Sequence, residues 1–309
     1  ETGSIGHDVW VERRPIDDNT YRWMFAASDG DGSTLLIGKG ATPSYLYVST
    51  NYGLTWSQVG ALTTWQEGCL NQTGQHGMAV NYARLYVTSD YCATWSESRP
   101  VGDADRIWCD TAISSDGSIR IAVANNTRAY RYSGGWSEMQ PIGDVNAGWW
   151  KCAMSYDGTV IILALTITSV YVSVNSGTSW TERKPTGGAT GVIWQGLDCS
   201  ADGSVIIITQ DGGRIYVSLD FGATWSEKRP AGNFDYYWRG AACNAIGDYM
   251  AASMTAGNLF VSDDYGETWV DKTPGTGLIP GSVDIDDSGN NLIICSAKAY
   301  SGRVYTYRR

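Results

Sequence analysis

The sequence predicts an all-β fold, a β-propeller of seven blades. Three observations predict it. A Trp recurs at intervals of 39 to 46 residues, an Asp-Gly hairpin signal precedes a β-branched run in most units, and no stretch keeps a 3.6-residue period over three turns. A four-stranded unit of this size cannot bury both faces alone, and radial stacking of such units leaves only short edges.

Each unit reads as four short strands. The first ends at a turn such as Asp116-Gly117, Asp157-Gly158 or Asp202-Gly203. The second is β-branched, as in Val160-Ile161-Ile162 and Val205-Ile206-Ile207-Ile208. The third is a YVS-like segment, at 45–49, 170–173, 215–218 and 259–262. The fourth begins at the marker Trp: Trp10, Trp56, Trp95, Trp136, Trp180, Trp225 or Trp269, mostly followed by a WxExRP-like phrase.

Fourth-strand material opens the chain at Val9–Arg14, and third-strand material closes it at Val304–Tyr307. The N-terminal strand is therefore expected to complete the last blade and remove its exposed edge. The full blades cover about 22–60, 66–100, 108–141, 149–185, 194–230 and 238–274, and a composite blade joins 282–307 to 9–15. Glu1-Thr2-Gly3 reads as a remnant left after signal cleavage. Residues 1–4 are set aside, and 5–309 form one propeller.

The turn between strands three and four reads Ser49-Thr50-Asn51-Tyr52-Gly53-Leu54-Thr55-Trp56 in the first blade. Related turns run 173–180, 218–225 and 262–269, with a variant at 88–95 that carries Cys92 in the glycine slot. This turn resembles the Asp-box, or bacterial neuraminidase repeat, of the sialidase-like propeller superfamily. A short carboxylate or carboxamide at its third position accepts N–H groups of its own turn, and the glycine takes positive φ. One such side chain per turn is too few oxygens for calcium, so the boxes are expected to be structural.

The resemblance implies sialidase chemistry only where the family's set is present: three arginines, a Tyr nucleophile with its Glu, an Asp acid/base and an early Arg-Ile-Pro. The Arg-Ile-Pro segment is absent, and nothing marks Arg22, Arg106 and Arg239 as the arginine triad.

Bulk properties narrow the partners. A net charge of -10 disfavours nucleic acid and anionic membrane, and no run of 18 apolar residues spans a bilayer. Seven Cys without a C-x-x-C pair, and two His, argue against zinc and thioredoxin-like chemistry. Sequons at Asn71 and Asn125 point to a glycoprotein that is secreted or extracellular, the ectodomain of a surface protein being one such case. Cys69 and Cys92 are the expected disulfide, because the unit that holds them has lost both its Asp-Gly turn and its box glycine.

A second repeated Trp falls where the first strand begins in five units, at Trp23, Trp108, Trp149, Trp194 and Trp238; Trp65 lies near it in a unit too divergent to align, and the composite blade has Pro280 there. This places an indole ring at the channel mouth, opposite the Asp-boxes. Between the indoles lie Arg22, Asp105, Arg106, Asp144, Lys151, Asp235, Tyr236, Tyr237 and Arg239. Aromatic faces interspersed with polar groups suit a glycan or an extended polypeptide, while repeated packing is the plainer reading of the Trp residues.

Three functions follow: a non-enzymatic extracellular domain binding a glycan or a protein at the channel mouth; a glycoside hydrolase using two of Asp103, Asp105, Asp144 and Asp235 as its carboxylate pair; or a structural surface-display unit. No cofactor or metal is expected.

Overall fold

The computed structural model describes residues 9–17, 19, 21–40, 42–167, 169–275, 280–296 and 302–309. The secondary structure among them is β-strand, from Val9–Arg13 to Val304–Arg308. Residues 1–4 and Pro280's side chain lie outside the described residues.

The strands form antiparallel sheets in the order the sequence predicts. In the first full unit Trp23–Ser28 pairs with Leu35–Lys39, then Ser44–Ser49, then Ser57–Thr63. Three more four-stranded sheets repeat this order from Trp65, Trp108 and Trp149. The units beginning at Ile193 and Tyr236 merge into one eight-stranded sheet. The bridge is the long hairpin strand Ile206–Gly213, which pairs with Tyr236–Cys243 through Asp211↔Tyr237 and Gly213↔Tyr236.

Closure follows the expected route. Val9–Arg13 lies antiparallel to Val304–Arg308, which continues into Asn291–Ser296 and Pro280–Ile285. Trp10 stacks at 5.0 Å from Tyr307, and its indole N–H donates to the Lys272 carbonyl at 2.6 Å, which ties this sheet to its neighbour.

Faces of neighbouring sheets bury the core. Phe25, Leu36 and Leu46 of one unit meet Trp65, Ala79 and Cys92 of the next, all without solvent exposure. The repeated Trp of each first strand belongs to this packing. Each meets the aromatic of its own third strand edge-on: Trp23 with Tyr47, Trp65 with Tyr86, Trp108 with Tyr130, Trp149 with Tyr171, Trp194 with Tyr216 and Trp238 with Phe260, at 5.3 to 6.0 Å. Trp65 therefore aligns with the others, and the divergent unit has regular geometry.

The marker Trp residues lie outside; Trp56, Trp95, Trp180, Trp225 and Trp269 each donate the indole N–H into their own Asp-box, while Trp136 bonds the Ser98 hydroxyl at 2.9 Å. Trp225 bonds the Gly222 carbonyl at 2.9 Å, and Trp56 bonds that of Gly53 at 3.1 Å. The box side chains behave as expected. Asp220 accepts the Thr224 N–H at 2.7 Å and the Ser218 hydroxyl at 2.9 Å.

Where the first strands end, on the Asp-box side, the units are tied in a circle. Gly30 N–H donates to Gln72 O, Ser115 to Tyr156, Tyr156 to Ala201, Ala201 to Ala245, Ala245 to Asp287 and Asp287 back to Gly30, at 2.8 to 3.2 Å. The remaining link is a side chain: Asn71 Nδ2 donates to Ser115 O at 2.8 Å. Gly30 is required here, since a Cβ would lie 2.5 Å from Gln72 Cγ.

Two sequence expectations are corrected. All seven Cys are free. Cys69 meets the Thr111 hydroxyl at 3.4 Å beside the channel, while Cys92 takes φ 65° and turns its thiol into the core among Phe25, Leu36 and Leu46. The two thiols serve different layers, so the Cys69–Cys92 bridge does not form. Asn71 is 3% exposed and its amide nitrogen is spent on Ser115 O and on Thr73 Oγ1, so this sequon is closed in the folded protein. Asn125 is half-buried.

Candidate binding face at the channel mouth

The first strands turn their free edges inward and enclose a central cavity of about 630 Å³. Backbone N–H groups on those edges need acceptors, and three aspartates supply them. Asp198 accepts from Cys199 N and from Cys243 N in the next unit, both at 2.8 Å. Asp284 does the same with Ile285 N at 2.9 Å and Ser28 N at 2.6 Å, across the closure point. Asp110 bonds Thr111 N and Cys152 N, each at 2.9 Å. Burial pushes the Asp284 carboxyl up to about 7 and that of Asp198 to about 6.

A charge cluster lies nearer the mouth. Glu67, Asp110 and Lys151 each stand two residues after the first-strand Trp of consecutive units. Lys151 Nζ lies 2.8 Å from Glu67 and 3.8 Å from Asp110, which raises its pKa despite burial. At the Asp-box end the Tyr156 hydroxyl donates to Asp287, whose other oxygen accepts the Gln72 amide at 2.5 Å. The channel is thus crossed by polar contacts at two levels. Burial pushes the wall thiol of Cys69 up to about 12 and that of Cys109 to about 11, which disfavours the thiolate. Among the described residues no group of His, Cys, Asp or Glu is placed to hold a metal ion.

The predicted site residues fall into three sets. The first is buried: Trp23, Trp108, Trp149, Trp194 and Trp238 are at most 2% exposed, so their expected role as an open aromatic ring is corrected to packing. Lys151 belongs to the channel cluster.

The second set anchors the connections between units. An Arg at the start of strand three reaches a Glu on strand four and a group in the following connection. Arg84 holds Glu97 at 3.4 Å, Asp105 at 2.8 Å and the Asp103 carbonyl at 3.0 Å. Arg128 pairs with Asp144 and lies 3.7 Å from Glu138; Arg214 lies 3.2 Å from Asp235 and 3.5 Å from Glu227. The Asp103 carboxylate pairs with Arg99. Arg106 folds back on the Asp105 carbonyl at 2.9 Å and does not line the cavity with Arg22 and Arg239. Tyr236 sends its hydroxyl to Ala231 O at 3.3 Å.

The third set is open. Arg22 is exposed and lines the cavity, Arg239 lines it with its nearest carboxylate, Asp211, 3.9 Å away, and Tyr237 is 64% exposed. Sequence reasoning missed two neighbours on this rim, Tyr82 at 58% and Ile107 at 50% exposure, both lining the cavity. Ile107 immediately precedes Trp108, as Tyr237 precedes Trp238, and that shared offset was the available signal.

With this geometry the fold is that of a BNR/Asp-box-repeat β-propeller. A family profile described as BNR-Asp box repeat matches residues 259–272. No curated protein matches the chain. Among solved structures it is similar to YCF48 bound to D1 peptide, at 14% identity and TM-score 0.72, covering 99% of each chain. It is also similar to Kuenenia stuttgartiensis hydrazine synthase, at 15% identity and TM-score 0.74, covering 100% of this chain and 99% of that one. A third is the Myceliophteria thermophila Cps50 (Swd1) β-propeller domain, at 11% identity and TM-score 0.75, covering 97% of this chain and 100% of that one. These likenesses carry the fold. No helix among the described residues is long and apolar enough to cross a membrane.

Proposed function

We propose that residues 5–309 are a single seven-bladed propeller acting as a non-catalytic extracellular binding domain, and that it takes an extended polypeptide across the channel mouth. The blade count is supported by the circle of links at the Asp-box end, with one contributor per unit. One observation carries the function: the mouth presents Arg22 and Arg239 beside exposed Tyr82, Ile107 and Tyr237, while the rest of its charges are tied down. Guanidinium groups orient acceptors, and the aromatic and aliphatic side chains supply contact area at modest entropic cost.

Burial of the Trp ring removes the stacking platforms that favoured a glycan, so a protein ligand is the better match. YCF48, similar in fold, has been solved with a peptide. The hydrolase alternative is weakened because Asp103, Asp105, Asp144 and Asp235 each pair with an arginine of their own unit. An extracellular setting rests on composition and on the Asn125 sequon.

Panning a random peptide library on the protein, with a glycan array in parallel, tests the reading. Selected peptides should lose affinity by about 1–3 kcal/mol on Arg22→Ala or Tyr237→Ala. Asp220→Ala should lower the melting temperature and leave binding intact. Selected peptides that bind Arg22→Ala, Tyr237→Ala and Arg239→Ala as well as the parent refute the mouth.

A further inference from the structure

The fourth residue of each Asp-box is held in the left-handed region: Tyr52, Tyr91, Ser176 and Phe221 at φ 58° and Tyr265 at φ 60°. That conformation is unfavourable for a residue with a Cβ, and a bulky side chain there is an outlier. The turn itself does not ask for an aromatic. Ser176 makes the same backbone bond, its N–H reaching Thr159 O at 2.8 Å, as Phe221 N reaches Ser204 O and Tyr52 N reaches Ser33 O at 3.0 Å. Nor do these rings complete the core, since all four are 37 to 55% exposed. Four strained, exposed aromatics at one repeated position point to a surface use.

Turns that carry aspartates stand beside them. The backbone bonds dock Tyr52 against the turn holding Asp31, Phe221 against that of Asp202, and Tyr265 onto the Asp248 carbonyl itself. Tyr91 shares an open groove with Asp31 and Asp287. Hydrogen bonds within the turns hold Asp116 and Asp264 at about 2, so this face stays anionic through the acidic range. One of the chain's own cations already uses such a ring, and a second shows the same pairing at the buried Tyr249 nearby. Arg308 lies 5.4 Å from the centroid of Tyr52, and Arg309 lies 4.8 Å from that of Tyr249 and 3.4 Å from Asp263. Aromatic face plus carboxylate is the chemistry that receives a guanidinium.

We propose that the Asp-box face is a second interaction surface, which binds an arginine-rich polypeptide segment by seating guanidinium groups on Tyr91, Phe221 and Tyr265 next to the turn aspartates. The seats repeat around the face, so several arginines of one segment engage together and the affinity exceeds that of a single seat. This surface is separate from the mouth and does not depend on it.

The test is fluorescence anisotropy with labelled hexa-arginine and hexa-glutamate at about 0.15 M salt, where contacts beyond a Debye length are screened. The variant is Tyr91→Ser with Phe221→Ser and Tyr265→Ser, which copies Ser176. Hexa-arginine should bind the parent, lose at least tenfold in affinity to the triple variant, and bind Arg22→Ala as it binds the parent; hexa-glutamate should bind none of them. The triple variant should melt no lower than the parent, because serine is less strained at this φ. The three single variants, each expected to lose two- to threefold, carry the test if the triple variant fails to fold. Retention of affinity within twofold by the serine variants shows attraction by net charge alone and overturns the proposal. So does absence of binding to the parent, or loss of binding on Arg22→Ala.

Discussion

Lys151 illustrates how much a single residue governs in the channel. Its ammonium is the partner of Glu67 and lies within reach of Asp110, both of them enclosed by the first strands. Lys151→Met leaves those carboxylates uncompensated and should cost about 3–5 kcal/mol, read from urea unfolding. The channel aspartates also set a pH dependence. Asp284 and Asp198 keep their protons up to about 7 and about 6 in the folded state, against 3.8 when unfolded. Between those values the unfolded chain binds fewer protons, so these two groups make stability fall as pH rises from about 4 to 7. Asp116 and Asp264, at about 2, act oppositely: their contribution is complete above the unfolded value and is lost as pH falls through about 2. A melting-temperature profile should peak near pH 4–5. A maximum at pH 7 or above contradicts this assignment. The raised values of Asp198 and Asp284 are not visible in sequence, because they come from enclosure by strands far apart in the chain, whereas those of Asp116 and Asp264 come from bonds within their own turns.

Elements were the most legible scale. The marker phrase located each outer strand, and the Asp-Gly turns located each first hairpin. The divergent unit resisted alignment because Thr73-Gly74 stands in place of the Asp-Gly pair, and Asn71, whose side chain accepts His76 N at 2.8 Å, stands where several other units have Ser. The repeated first-strand Trp was visible, and its burial was not; the clue lay in the aromatic of strand three, which recurs in step with it. The arginine clamps escaped notice because Arg84, Arg128 and Arg214 start strands whose visible signature lies one residue further on. The closing strand carries its own prediction. Trp10→Ala removes the contact with Tyr307 and the bond to Lys272 O, and should cost about 2–4 kcal/mol in chemical denaturation. Removal of residues 9–13 should expose the edge of Val304–Arg308 and produce aggregation, followed by light scattering. A truncated protein that melts like the parent contradicts the closure.

At the scale of the whole molecule, stacking of like sheets explains why the fold was easier to read than the site. Repetition advertises whatever every unit must solve, while recognition depends on what differs between units. Arg22, Tyr82, Ile107 and Tyr237 occupy rim positions with different residues elsewhere, so no recurring phrase points to them. The free cysteines give a global check. In denaturant under non-reducing conditions, thiol titration should return seven groups per chain, and reduction should leave the melting temperature unchanged. Fewer thiols would mean a cross-link the structure lacks.

The circle at the Asp-box end has one link made by a side chain, and that side chain is the acceptor amide of a sequon. In a compartment that attaches sugars during synthesis, Asn71 faces a race. A sugar added to the nascent chain occupies the nitrogen that must later reach Ser115 O, whereas a chain that folds first hides the nitrogen from the transferase. The two outcomes exclude one another, so the order of events during biosynthesis decides whether the last link can be made.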